Sequence, residues 1–222
     1  MRNACRTRSA SSHPRDATLL WFVMGAVVMA LLGLAACSDE AIDSDEQARR
    51  AYLGLDPSIE KSLNLGFDGF NSASSANISP QSTMGDDTGE LTITGQVDQG
   101  ASANKEMRLR IGMVDYSDGP IVVESDDEEI EVDLTYDTSD IESEQPYLRL
   151  SLRNIPDGTF TGQLTGVYEL AGDIVGNVEL DLDFSGSIQD GGDETVVRVP
   201  GTTTVTGTAS SGNGVYSVDL TI

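Results

Sequence analysis

Histidine, tryptophan and cysteine are nearly absent from this chain of 222 residues. It has His13, Trp21, Cys5 and Cys37 and no others of these types. Three of the four lie before Cys37. If the chain is cut there, the remainder has no His, no Trp and no thiol except that of Cys37. Without His, neither a Ser-His-Asp nor a Cys-His nucleophile can be assembled. Without His and free Cys, the ordinary zinc and copper ligand sets are missing. No disulfide can form, so stability must come from packing. Without Trp, the common flat platform for stacking on a sugar ring is gone.

Positive charge is scarce too. Thirteen Lys and Arg face 37 Asp and Glu, a net −24. Four of the bases (Arg2, Arg6, Arg8, Arg15) and one acid (Asp16) precede Cys37. The rest of the chain therefore holds nine bases against 36 acids, a net −27. Such a chain repels phosphate backbones, so nucleic acid is not expected as a partner. Lys61 and Lys105 are its only lysines.

What is present begins with an apolar run. Residues 17–36, ATLLWFVMGAVVMALLGLAA, carry no charge and follow an Arg-rich start. That pattern is a secretory signal, although 20 residues would also span a bilayer as a helix. The boundary decides between them. Leu34-Ala35-Ala36-Cys37 resembles the lipobox of bacterial lipoproteins. The resemblance implies a diacylglyceryl thioether on Cys37, cleavage before it and acylation of the new amine. Two or three acyl chains would give a stable membrane anchor. Ser38, where Asp would resemble an inner-membrane retention signal, favours the outer membrane. The expected location is the cell envelope, outside the cytoplasm. Removing the first 36 of 222 residues leaves 186, enough for one domain with a proper core.

The expected organisation is a signal peptide over 1–36, an acidic tether over 37–46, a helical segment over 47–75, a linker over 76–89 and a β domain over 90–222. Ser44-x-x-Gln47 reads as a capping box opening a short helix to about Leu53. Asp56-Pro57 reads as a second helix start. Ile59, Leu63, Phe67 and Phe70 then form one apolar stripe, with Gly66 and Gly69 weakening the helix. From Glu90 onward, period-two alternation marks eight strands. The class is mainly β, an antiparallel meander preceded by a short helical segment, with a closed barrel favoured over a sandwich. The wet faces carry Arg108 and Arg110, then Glu129, Glu131 and Asp133, then Arg149 and Arg153. This order predicts an acidic strand between two basic ones. A weak repeat recurs at Thr94-Gly95-Gln96, Thr161-Gly162-Gln163, Ser185-Gly186-Ser187 and Thr206-Gly207-Thr208. Glycine inside a strand marks a bulge, a bend or close backbone approach.

Two constellations could carry chemistry. Glu179-Leu180-Asp181-Leu182-Asp183 resembles the Glu-x-Asp-x-Glu core of jelly-roll endoglucanases, but Asp183 stands where Glu is expected. Simple solvent-face alternation explains it better than a glycosidase. The acidic turns 125–129 and 190–194 have calcium-like chemistry without the spacing of a helix-loop-helix site. No catalytic, cofactor or metal residue is assigned, and Cys37 is the one site residue. The expectation is a non-enzymatic envelope protein with a structural or binding role, without a cofactor. A barrel carrying an apolar small ligand is the alternative. Its partners would be the membrane, through the lipid, and an unspecified protein or small molecule.

Replacing Cys37 with Ser should abolish lipid attachment. Intact mass and detergent partitioning would show an unprocessed or soluble product. A wild-type mass without acyl addition would refute the lipobox reading.

Overall fold

The computed structural model describes residues 42–125 and 128–222. Cys37 and the signal region lie outside the described residues. No helix among the described residues is long and apolar enough to cross a membrane.

Among the described residues one α-helix, α1 (Asp45–Ser72), precedes twelve strands. These are β1 (Asn77–Met84), β2 (Thr88–Val97), β3 (Lys105–Ser117), β4 (Ile121–Ser125), β5 (Glu128–Val132) and β6 (Leu134–Asp137). After them come β7 (Tyr147–Arg153), β8 (Gly158–Gly172), β9 (Gly176–Gly192), β10 (Thr195–Arg198), β11 (Thr204–Ser211) and β12 (Gly214–Thr221). Ten strands form one antiparallel sheet in the order β1-β2-β3-β6-β8-β9-β11-β12. β7 lies between β3 and β8, where β6 also pairs, and β10 pairs with β9. β4 and β5 form a separate hairpin.

The mainly β antiparallel meander preceded by a helix is therefore borne out, with ten of the described strands in one hydrogen-bonded sheet. Among the described residues β1 and β12 end the sheet without pairing to each other. Helix α1 touches both edge strands. It lies against the inner face, where its side chains join those of the strands in one core. The strand alternation makes that face apolar: Leu109, Leu148, Leu164, Leu182 and Val205 are fully buried. Burial of such a side chain stabilises by roughly 1.5–3 kcal/mol.

The helix is a single element of 28 residues, about 42 Å long. Ser44 is its N-cap, with Oγ accepting from the Gln47 N–H at 3.3 Å. The Gln47 amide oxygen reaches back to the Asp43 N–H at 2.9 Å. The expected break at Asp56-Pro57 does not occur, because Pro57 lies inside the helix. Proline there forfeits a helical hydrogen bond and costs about 3 kcal/mol. Tertiary contacts on both flanking turns hold the helix through it. Tyr52 stacks at 5.9 Å on Phe184, and Asp56 and Glu60 bind Arg198 of β10.

Three glycines set how closely α1 approaches the sheet. A Cβ on Gly66 would meet Met107 Sδ at 2.8 Å, and one on Gly69 would meet Ile78 at the same distance. A Cβ on Gly54 would collide with the hydroxyl of Tyr136, which donates to the Ala51 carbonyl at 2.8 Å. These residues lower helix propensity, as the sequence suggests, yet they permit the contact that buries the helix.

Three further expectations are corrected. The stretch 76–89 is not a linker: it holds β1, an edge strand whose register shifts between Ile78 and Gln81, beside Pro80. Proline and a bulge both suit an edge. The acidic tether does not extend to residue 46. Ile42 is fully buried, and its carbonyl accepts from Ser211 Oγ at 2.7 Å and Asn213 Nδ2 at 3.1 Å. The alternating charge ladder is also absent. β3 pairs directly with β7, so Arg108 faces Arg149, while Glu129 and Glu131 belong to the β4–β5 hairpin.

Truncating Phe67, which is buried, to Ala should cost about 3–5 kcal/mol. Gly54→Ala is a sharper probe. Propensity alone favours it by about 1 kcal/mol, whereas overpacking against Tyr136 costs about 1–3 kcal/mol. A lower urea midpoint is expected, and a higher one would contradict the close approach.

Candidate functional site

Two polar clusters stand out. The first joins α1 to the strands. The Arg198 guanidinium meets both Asp56 carboxylate oxygens, at 2.8 and 2.9 Å, and its Nε meets Glu60 Oε2 at 2.8 Å. Tyr52 donates to Asp56 Oδ1 at 2.6 Å. The Arg198 side chain is only 12% exposed and that of Asp56 17%. Burial works against the Arg198 charge, but its hydrogen bonds to Asp56 and Glu60 and the charge of Asp56 outweigh it and raise its pKa. Burial, reinforced by Asp56, pushes the Tyr52 hydroxyl well above its ordinary range. On another side of α1, Lys61 pairs with Asp86 and Asp118, and Tyr116 donates to Asp118 at 2.6 Å. Every charge here has a partner, so both groups act as fasteners.

The second cluster is open to solvent. A trough of about 690 Å³ crosses the outer face of the sheet over β3, β7, β8, β9 and β11. Strand register builds it from two neighbouring rows of side chains. One row runs Arg108, Arg149, Gln163, Asp183, Thr206, each opposite the next. The other runs Glu106, Ser151, Thr161, Ser185, Thr204. Neighbouring strands are about 4.8 Å apart, so five strands span roughly 19 Å.

The inner face supports this floor. Gly162 lies opposite Phe184, and Gly186 lies opposite Phe160. In each pair the ring covers the glycine: a Cβ would meet Phe184 at 3.2 Å or Phe160 at 2.8 Å. An aromatic ring over a glycine secures strand pairing where curvature requires a missing side chain. At Gly207 the backbone has φ 147° and no room for a side chain beside the Asp181 carbonyl.

The charges in the trough are unevenly matched. Arg153 Nη2 lies 2.6 Å from Glu106 Oε1, and Ser151 donates to the same oxygen at 2.9 Å. Burial raises the Glu106 pKa, but the hydrogen bonds from Arg153 and Ser151 outweigh it and hold the group below the ordinary carboxylate range. Glu106 thus stays ionised and is a poor proton donor near neutrality. Arg108 Nη2 meets Asp98 Oδ1 at 3.0 Å. The Arg149 side chain makes no hydrogen bond or ion pair among the described residues and is exposed.

The sequence candidates fare as follows. Glu179, Asp181 and Asp183 project to solvent from β9. They face uncharged neighbours: Val167 and Ser210, Thr165 and Thr208, Gln163 and Thr206. Only Asp183 lines the trough. In the 190–194 turn, Asp190 Oδ1 accepts from the Gly192 N–H at 2.9 Å. Residues 126 and 127 of the other acidic turn lie outside the described residues. No group of three or more acids, His or Cys that could hold a metal occurs among the described residues. The trough escaped sequence reading, although the repeat marks part of it: Thr161, Gly162, Gln163, Ser185 and Thr206 all line it. Comparison with known proteins returns no matching family model, no similar curated protein and no matching solved structure.

Arg198→Ala should destabilise the domain by about 3 kcal/mol, because it strands two partly buried carboxylates. Arg198→Lys should recover only part of this, since a single ammonium cannot match the two-pronged contact. Thermal melting of both variants would test this, and a wild-type melting point for Arg198→Ala would contradict the fastening role.

Proposed function

We propose that this is a lipid-anchored envelope protein with a non-catalytic binding role, and that the outer sheet face is its recognition surface. The trough is the observation that carries this reading. It is a broad, rigid, polar platform on paired strands, with a guanidinium left over at one end. The occupied interior supports it as well. An apolar carrier needs a void inside, and α1 fills that place.

Lipidation at Cys37 would hold the platform close to the membrane. Five peptide links separate Cys37 from Ile42, which the β11–β12 turn clamps. Fully extended, they reach about 18 Å. The binding partner would then belong to the envelope or its immediate surroundings.

Reversing the free charge tests the surface. Prepared without signal peptide and lipid, as residues 38–222, the wild-type domain should co-sediment with purified envelopes stripped of the endogenous protein, and its Arg149→Glu form should be released. Arg149 is exposed, so its melting point should change little. Equal retention of both proteins would reject the outer face as the recognition surface.

A further inference from the structure

We infer that the trough binds a saccharide carrying a single carboxylate group, with Arg149 as the carboxylate's partner. This inference rests on the recognition surface proposed above and adds the chemical class of its ligand.

Charge defines the first half of the ligand. Arg108 and Arg149 are directly opposed across β3 and β7. Like charges so placed destabilise a sheet. The chain has acids in fourfold excess over bases once residues before Cys37 are set aside, yet among the described residues none neutralises Arg149. Arg108 and Arg153 are engaged by Asp98 and Glu106. The lining contains three guanidiniums, Arg108, Arg149 and Arg153, and two carboxylates, Glu106 and Asp183. With Asp98, which engages Arg108 from outside the lining, the charges balance three to three, and among the described residues Arg149 is the guanidinium left without a carboxylate. A planar guanidinium receives one carboxylate through two parallel hydrogen bonds. A densely charged polymer would meet Glu106 and Asp183 inside the trough and a strongly negative protein around it. The site thus suits one anionic group and disfavours a polyanion.

The hydroxyl rows define the second half. Beyond the guanidinium end, the trough presents Ser151, Thr161, Ser185, Thr204 and Thr206 with the Gln163 amide. Hydroxyls and amides both donate and accept. A platform of such groups matches a ligand whose own surface is mostly hydroxyl. Strand pairing holds the rows in place, so little ordering is needed when the ligand binds. A free carboxylate such as acetate would use Arg149 alone and leave the rows idle.

Isothermal titration of the detergent-extracted protein tests the inference. The probes are tetrasaccharides bearing one glucuronate or one galacturonate residue. The controls are the same sugars with the carboxylate reduced to an alcohol, acetate, and a DNA duplex. At least one uronate probe should bind at least tenfold more tightly than its reduced form and than acetate, with no binding of the duplex. Arg149→Gln should weaken it about tenfold, the loss of one charge-assisted contact. Thr204→Val keeps a strand-forming residue and should weaken it about threefold. Circular dichroism of both variants should match wild type. Failure of every uronate probe, equal binding of the reduced sugar or acetate, or preference for DNA would overturn the inference. If Arg149→Glu still loses its hold on envelopes, the recognition surface survives and only the ligand class is wrong.

Discussion

The close approach of α1 to the inner face of the sheet is the contact on which the rest of the domain depends. The main sheet runs from β1 to β12 without those edges pairing to each other, and its apolar face needs a surface to cover it. One helix of 28 residues supplies that surface only if it sits deep. Gly54, Gly66 and Gly69 allow this depth by omitting side chains where Tyr136, Met107 and Ile78 press in. Each glycine lowers helix stability by about 1 kcal/mol relative to alanine, and Pro57 adds more. The helix therefore owes its continuity to the sheet. The sheet in turn has edges that do not close on each other and are bridged by the helix. Neither part is self-sufficient, which predicts cooperative unfolding of α1 with the strands.

Electrostatics follows the same economy of cations. Nine bases serve 36 acids after residue 36, so most of the acids can only be solvated. The bases are placed at joins. Arg198 and Lys61 fasten α1 on two sides. Lys105 is buried over the Phe70 ring at 4.2 Å and donates to the Gly100 carbonyl. Arg110 covers Tyr147 at 4.8 Å and donates to the Gln145 carbonyl at 2.8 Å. Arg149 departs from this pattern. It has an exposed position, a like charge opposite and no partner among the described residues. A chain so short of cations gains nothing in stability from one placed there.

The strands were largely legible because one face is wet and the other dry. Alternation such as Val178, Leu180, Leu182, Phe184 against Glu179, Asp181, Asp183 admits one pleated solution. The eight expected strands become twelve for local reasons. Asp133 interrupts one run, and Pro200-Gly201 interrupts another. β1 was hidden because NISPQSTM buries only Ile78, so it carries no alternation to read. β4 was missed because it pairs only with β5, in a hairpin apart from the main sheet. The helix was read as two pieces because local rules for Asp-Pro are strong, and the Arg198 contact that overrides them comes from 142 residues away. The charge ladder failed for a related reason. It assumed that neighbours in sequence are neighbours in the sheet, whereas the β4–β5 hairpin steps aside and brings two basic strands together.

The trough needed register, and register is a property of pairs of strands. No single strand announces that Arg149 will face Arg108 on one side and Gln163 on the other. The Thr-Gly and Ser-Gly repeat was a trace of it, read through glycine rather than through the hydroxyls. Gly162 and Gly186 face inward beneath Phe184 and Phe160, and this frees the alternate positions to present small polar groups outward. The same two-residue period therefore fixes the core on one side and the hydroxyl rows on the other. A substitution that slips β8 against β9 by one residue, with β9 held in place, would move Leu164 into water and bury Gln163. Strand pairing, rather than any loop, is thus what holds the candidate site in place, and core packing and recognition share one constraint.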